Sequence, residues 1–203
     1  MPVTAIIPVK RLTEAKTRLA ADLSADARAR LALTLLANVL DAVKQTPRID
    51  RALVVTPDPL VAELARVAGV EALAQDQPGL NLAVRMGRVA ARTETVLVLL
   101  GDLPFVTGAE LGNLLCLAAP GRLVLAPDRH GRGTNALAVH RSAPFAPAFG
   151  LDSLAAHHRE AARVGLEARE YRSNGTGFDV DTVDDLHEYQ RILRTADAGS
   201  REF

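Results

Sequence analysis

Val96-Leu97-Val98-Leu99-Leu100-Gly101-Asp102-Leu103-Pro104 decides how this chain is read. Six consecutive apolar or small residues lead into one carboxylate, and a proline two places later ends the run. A continuous Val/Leu run bounded by a turn signal reads as a strand buried on both faces. In open parallel sheets, ligands bind just beyond the carboxyl ends of the strands. Asp102 falls there, and a carboxylate beside a buried strand needs a partner or a cation. The plainer reading is a turn or helix-cap aspartate. A second acidic site far downstream favours the ligand reading.

Working outward, strands and helices alternate through the first half. Val3 to Val9 is a β-branched strand, followed by a loop from Lys10 to Leu19. Ser24 is an N-cap residue for a helix to Lys44, with Leu31, Leu35, Val39 and Val43 at the helical period. Arg51 to Thr56 is a strand, Leu60 to Ala68 a helix, and Val70 to Ala72 a brief strand. Asp76-Gln77-Pro78-Gly79 is a turn that opens a helix from Leu80 to about Ala91. The central strand, Thr95 to Leu100, and a helix from Thr107 to Ala118 complete the alternation. Such a pattern predicts a mainly parallel sheet with right-handed crossovers.

The rhythm changes after Pro120. Leu123 to Pro127 and Thr134 to His140 read as strands around a polar loop, which predicts inserted or antiparallel strands. A helix from Ser153 to Val164, a strand from Glu167 to Tyr171 and a turn at Asn174 to Gly177 follow. The last helix is expected over Val183 to Arg194. One domain over 1–194 and a flexible tail over 195–203 are expected.

The totals narrow the function classes. At 203 residues, 48% hydrophobic and 24% charged, the chain is long enough for one well-packed core. With 24 basic and 24 acidic residues the net charge is zero, which argues against a nucleic-acid partner. The single cysteine, Cys116, excludes an internal disulfide and a cysteine metal cluster. Met1-Pro2-Val3-Thr4 lacks the features of a signal peptide, and no apolar run approaches the roughly 20 residues of a membrane span. A cytoplasmic protein without membrane contacts is expected.

Three groups carry chemistry. Lys10, Arg11, Lys16 and Arg18 put four cations into nine positions directly after the first strand. They therefore start at the same surface as Asp102, and both cation types suit phosphate oxygens. Neither a Walker loop nor a G-x-G-x-x-G dinucleotide fingerprint is present. Asp179 and Asp181, two apart in an extended segment, point the same way. With Asp102 they form a candidate Mg²⁺ site, since Mg²⁺ prefers oxygen ligands and often shares them with substrate phosphates. Asp181 or Thr182 can alternatively cap the last helix. The third group is Arg129-His130-Gly131-Arg132-Gly133-Thr134-Asn135, with Gly150 and Ser153. Glycines allow close backbone approach, and hydroxyl donors suit a small anion. Ser153 is also readable as a plain N-cap or as the start of an anion-binding helix. His157 and His158 are adjacent on a helix and face differently, so they cannot act as a metal pair.

Taken together, these segments resemble the CofC/FbiD family of guanylyltransferases in coenzyme F420 biosynthesis. The resemblance runs through Ile7-Pro8-Val9-Lys10, Ala15-Lys16-Thr17-Arg18-Leu19, Gly79-Leu80-Asn81 and Gly101-Asp102-Leu103-Pro104. It continues through Ala126 to Leu137, Phe149-Gly150 with Ser153, and Asp179-Val180-Asp181-Thr182. It implies a single-domain, Rossmann-type nucleotidyltransferase (GT-A-like) fold, a three-layer α/β/α sandwich with a mainly parallel mixed sheet. Molybdenum-cofactor guanylyltransferases, wider relatives, open with a glycine-rich loop that is absent here.

The implied activity joins GMP from GTP to the phosphate of 2-phospho-L-lactate, phosphoenolpyruvate or 3-phospho-D-glycerate, with release of diphosphate. By motif match, Pro8, Val9, Lys10, Arg11, Lys16 and Asn81 meet the nucleotide. Lys10, Lys16, Arg18 and Asp102 serve catalysis. Thr134, Gly150 and Ser153 hold the acceptor, and Asp102, Asp179 and Asp181 hold Mg²⁺. A homodimer and a downstream transferase of the same pathway are family-level expectations. Many members read F-G-P-G-S where this chain has Phe149-Gly150-Leu151-Asp152-Ser153, so Asp152 places a carboxylate beside the acceptor pocket. The rival readings are a nucleotidyltransferase for a sugar phosphate or molybdopterin, and a non-catalytic nucleotide-binding protein of the same fold.

Overall fold

The Val/Leu run forms the expected strand. In the computed structural model, which describes residues 2–199, all five residues of β4 (Thr95–Leu99) are buried. The other strands are β1 (Val3–Pro8), β2 (Ile49–Thr56), β3 (Glu71–Ala74), β5 (Arg122–Pro127), β6 (Thr134–His140) and β7 (Glu167–Glu170). The seven strands make one sheet in the order β3-β2-β1-β4-β6-β5-β7. β1 pairs in parallel with both β2 and β4, and β7 in parallel with β5. β6 runs antiparallel between β4 and β5, and this single reversal is the change of rhythm seen after Pro120.

Side-chain alternation along β1 and β4 explains the three layers. Ala5, Ile7, Leu97 and Leu99 pack on one face with Leu36, Val39 and Leu40 of α1 (Ala25–Lys44) and Leu111 and Leu114 of α4 (Gly108–Cys116). On the other face, Ile6, Val96 and Val98 pack with Val84 of α3 (Leu80–Ala90) and Leu154 of α5 (Ser153–Arg163). Emptying one such position costs about 2–5 kcal/mol per leucine, so these strands hold their register firmly. Gly87 lets α3 lie against β1, because a Cβ there would overlap Ile6. Local signals fix the helix starts. Ser24 caps α1, Asp58 caps α2 (Pro59–Val67), and Thr107 with Glu110 forms a capping box on α4.

A smaller cluster has direct consequences for the site. Leu19, Leu35, Phe178, Val180, Leu186 and Tyr189 are buried together. This joins the end of the basic loop to α7 (Val183–Gly199) and to the segment carrying Asp179 and Asp181.

The structure corrects two boundaries. Asn174–Gly177, expected as a turn, is one helical turn, α6, because the Ser173 side chain accepts the Thr176 N–H. The last helix passes Arg194 and stays helical to Gly199, since Ala196 and Ala198 are strong helix formers and no breaker precedes the glycine. The expected flexible tail is thus helical over 195–199, and residues 200–203 lie outside the described residues. No described helix is long and apolar enough to cross a membrane.

Candidate active site

The strand order turns outward in both directions from β1 and β4, and the carboxyl ends of these two strands open onto a cavity of about 650 Å³. Ligands bind at such switch points. Pro8, Val9, Lys10, Arg11, Lys16 and Arg18 line it together with Asp102 and Asp181, and Gly79 and Leu80 close the opposite wall. The basic loop is shaped by anchors. Leu12 and Leu19 are buried, and the Leu12 N–H donates to Asp58 Oδ2 at 2.8 Å. Lys10 and Arg11 remain exposed in the cavity and pair with no carboxylate among the described residues.

Lys16 is the hub. It is one of two non-glycine residues with positive φ among the described residues (49°), a left-handed conformation that costs roughly 1–2 kcal/mol. That backbone turns its buried side chain into the acidic corner. Lys16 Nζ donates to Asp102 Oδ2 at 2.6 Å and to Asp181 Oδ1 at 3.0 Å. Burial pulls the ammonium's pKa down, but Asp102 and Asp181 together outweigh it and hold the group above the ordinary lysine value. Arg18 Nη1 adds a looser 3.6 Å pairing to Asp181 Oδ2.

The third carboxylate stands at the edge of this arrangement. Burial, then the charges of Asp102 and Asp181, push Asp179 up to about 6. Asn135 Nδ2 reaches Asp179 Oδ1 at 3.4 Å. Val180 turns into the core between the two aspartates, as alternation requires. Helix capping falls to Thr182: its hydroxyl accepts the Asp185 N–H, while Asp185 Oδ2 accepts the Thr182 N–H at 2.6 Å. Asp181 is thereby left to the site.

The donor set fits a hard cation in part. Asp102 Oδ1 is buried and has no hydrogen-bond partner, and Asp179, raised first by burial, also feels the negative charges of Asp102 and Asp181. Among the described residues, however, no three such side chains already converge on one point. The Lys16 ammonium sits between Asp102 and Asp181. These residues therefore suit a cation that takes its remaining ligands from phosphates and water.

The expected acceptor residues form a separate corner at the start of β6. Thr134 and Ser153 are each only 2% exposed. The Thr134 N–H donates to Ser153 Oγ at 2.9 Å, and Thr134 Oγ1 lies 3.0 Å from His157 Nδ1. Ser153 is thus neither the N-cap, which is Asp152, nor a free anion site, since its own N–H donates to the Gly150 carbonyl. Gly150 has φ 141°, a backbone that side chains rarely adopt. Neither Thr134, Gly150 nor Ser153 lines the large cavity. Asn81 links the two corners: it donates through Nδ2 to the Phe149 carbonyl at 3.0 Å and accepts the Phe149 N–H at 2.8 Å. Its amide is committed there, and Asp76, Pro78, Gly79 and Leu80 are the residues around that turn that line the cavity.

A family model described as guanylyl transferase, CofC-like, matches residues 3–203. The chain belongs to this family. Curated relatives include the phosphoenolpyruvate guanylyltransferase of Sphaerobacter thermophilus, 43% identical over 191 residues, covering 93% of this chain and 92% of that protein. The enzyme of the same name from Chloroflexus aggregans is 40% identical over 197 residues, covering 94% and 98%. Among solved structures, a nucleotidyl transferase from Methanothermobacter superposes with a TM-score of 0.74 at 19% identity, covering 96% of this chain and 99% of that one. Glucosyl-3-phosphoglycerate synthase from Mycobacterium tuberculosis, in complex with Mg²⁺ and UDP, superposes at 0.60 with 14% identity, covering 84% and 69%. The nucleotidyltransferase fold expected from the sequence is the observed one.

In this CofC-like guanylyltransferase the sequence did not show the contacts of three contributors. Asp58, which follows the second strand, pins the basic loop through Leu12. Asn135 steadies Asp179, and His157 contacts Thr134. Only His157 left a signal: with Leu154 and Ala161 it keeps the helical spacing of a buried face. Arg129, by contrast, turns away, pairing with Asp185 and Glu188 and lying over the Phe178 ring.

His157 also predicts an acid-side instability. Burial first, and then the neighbouring His158, lower its pKa from 6.5 to about 4. The unfolded chain takes up that proton near pH 6.5 while the folded chain resists to about 4, so stability falls as pH drops through this window. Thermal melts at pH 7 and pH 5 check it. The wild type loses more Tm between them than His157→Asn does; equal losses would contradict the assignment.

Proposed function

We propose that this guanylyltransferase transfers GMP from GTP to the phosphate of phosphoenolpyruvate, with release of diphosphate, in the route to coenzyme F420. The observation that carries the reading is the Lys16 ammonium held between Asp102 and Asp181 on the wall of a cavity that also holds Lys10 and Arg11, which pair with no carboxylate among the described residues. The choice of phosphoenolpyruvate is supported by the relatives that bear that name and cover nearly all of this chain.

Both reactants are anions, so repulsion between them is the main barrier. Lys10 and Arg11 are placed to meet the triphosphate, Arg as a planar fork and Lys as a mobile point charge. Lys16 and Arg18 hold positive charge against the acidic corner, which keeps that corner from repelling an incoming nucleotide. An oxygen of the acceptor phosphate attacks the α-phosphorus in line. The bond from that phosphorus to the bridging oxygen breaks, and diphosphate leaves with that oxygen. The attacking oxygen is already ionised near neutral pH, so no general base is needed and none is assigned to His130. A divalent cation such as Mg²⁺, held by Asp102 with Asp179 or Asp181, would neutralise charge on the leaving diphosphate. A protein of the same fold binds Mg²⁺ together with UDP, which supports that role. Thr134, Gly150 and Ser153 form the acceptor corner in this reading.

The test is a panel. Diphosphate release is followed with GTP and Mg²⁺ against phosphoenolpyruvate, 2-phospho-L-lactate, 3-phospho-D-glycerate and a sugar phosphate, with ATP as control. Release is expected with GTP and phosphoenolpyruvate at the highest kcat/KM. A higher value with another phospho-acid would overturn the acceptor, and a sugar-phosphate preference would overturn the reaction class.

A further inference from the structure

His157 is wholly buried on the inner face of α5, and its ring contacts are specific. The Ala148 N–H donates to Nε2 at 3.0 Å, so this nitrogen carries no proton. The rings of Phe149 and Phe145 pack against the imidazole at 4.8 Å and 5.6 Å between centroids, leaving it in apolar surroundings. A neutral ring with an accepting Nε2 must hold its one proton on Nδ1. Nδ1 lies 3.0 Å from Thr134 Oγ1 and therefore donates to it.

That donation fixes the Thr134 hydroxyl. With a lone pair engaged by His157, the hydroxyl hydrogen has no acceptor among the described residues and is turned away from the ring. The adjoining Ser153 Oγ already accepts the Thr134 N–H, so its own hydrogen is likewise free to donate. We infer that His157 is a positioning residue for the acceptor, holding Thr134 as a pure hydrogen-bond donor toward an anionic oxygen of the phospho-acid. The same ring, through Ala148, steadies the turn that leads to Gly150. This inference rests on the reading that Thr134 meets the acceptor, and goes beyond it by naming what sets the polarity of that contact. A neutral alcohol would be served equally by a rotating hydroxyl, whereas an anion gains from one that is fixed as a donor.

Three variants separate the possibilities: Thr134→Val, His157→Phe and His157→Asn, whose side-chain amide can supply the donor of Nδ1. Each is assayed for KM toward phosphoenolpyruvate and toward GTP, and folding is followed by thermal melting. His157→Phe is expected to raise the acceptor KM at least about tenfold, a value set by the loss of one hydrogen bond to a charged group, while the GTP KM stays within about twofold. His157→Asn recovers most of that loss. In the Thr134→Val background, His157→Phe adds no further change. A purely structural role would instead lower Tm and move both KM values together, with no rescue by Asn, and that outcome would overturn the inference. If Thr134→Val itself left the acceptor KM unchanged, the acceptor reading would fail and this inference with it. A wild-type response to Thr134→Val without a response to His157→Phe would sink the inference alone.

Discussion

Asp102→Asn should lower kcat/KM about 1,000-fold, or about 4 kcal/mol of transition-state stabilisation, while the protein keeps its fold. Asp102 follows the buried strand β4 and has two dissimilar oxygens. Oδ2 accepts from Lys16, and Oδ1 is buried with no partner. An amide preserves the shape of the group and one accepting oxygen, so the strand end loses little. Both carboxylate oxygens are nonetheless needed where one is held by a lysine and the other is open to a cation or its water. The checks are steady-state kinetics at saturating Mg²⁺ and a melting curve. A Tm within a few degrees of wild type with the activity gone fits this assignment; wild-type turnover would remove Asp102 from the chemistry.

Lys16→Met should produce the second large effect, and it has two opposite signs. Activity falls about 100-fold or more, because the cation that holds the acidic corner on the cavity wall is lost. Mn²⁺ or Mg²⁺ affinity in the absence of nucleotide rises, because Asp102 and Asp181 then lack the ammonium that sits between them. Methionine approximates the length and apolar stem of lysine, so the buried path is still filled. Calorimetric titration of the metal reads the affinity. Equal affinity in variant and wild type would show that Lys16 does not compete with a cation.

How much of this was legible in the sequence follows from the range over which each signal acts. The Val/Leu run of β4 and the cap at Ser24 are local, and each appears where the sequence places it. The direction of β6 was only half visible, since periodicity shows a strand but not which way it runs. The site was legible as residue types and order, through Lys16, Asp102 and Asp181. Its wiring was not, because Lys16 pairs with residues 86 and 165 positions away and does so from a left-handed backbone that nothing in Ala15-Lys16-Thr17 announces. Asn81 shows the same limit. The family resemblance put it near the nucleotide, and in the structure both ends of its amide reach Phe149, 68 residues on.

The central claim is that the α-phosphoryl group of GTP passes to a phospho-acid. GTP labelled at the α-phosphorus, incubated with the enzyme, Mg²⁺ and phosphoenolpyruvate, tests it in one step. Label should move into a new product containing both GMP and phosphoenolpyruvate, matched mole for mole by diphosphate. Label that stays in GTP, or that appears as free GMP or GDP without such a product, would contradict the account.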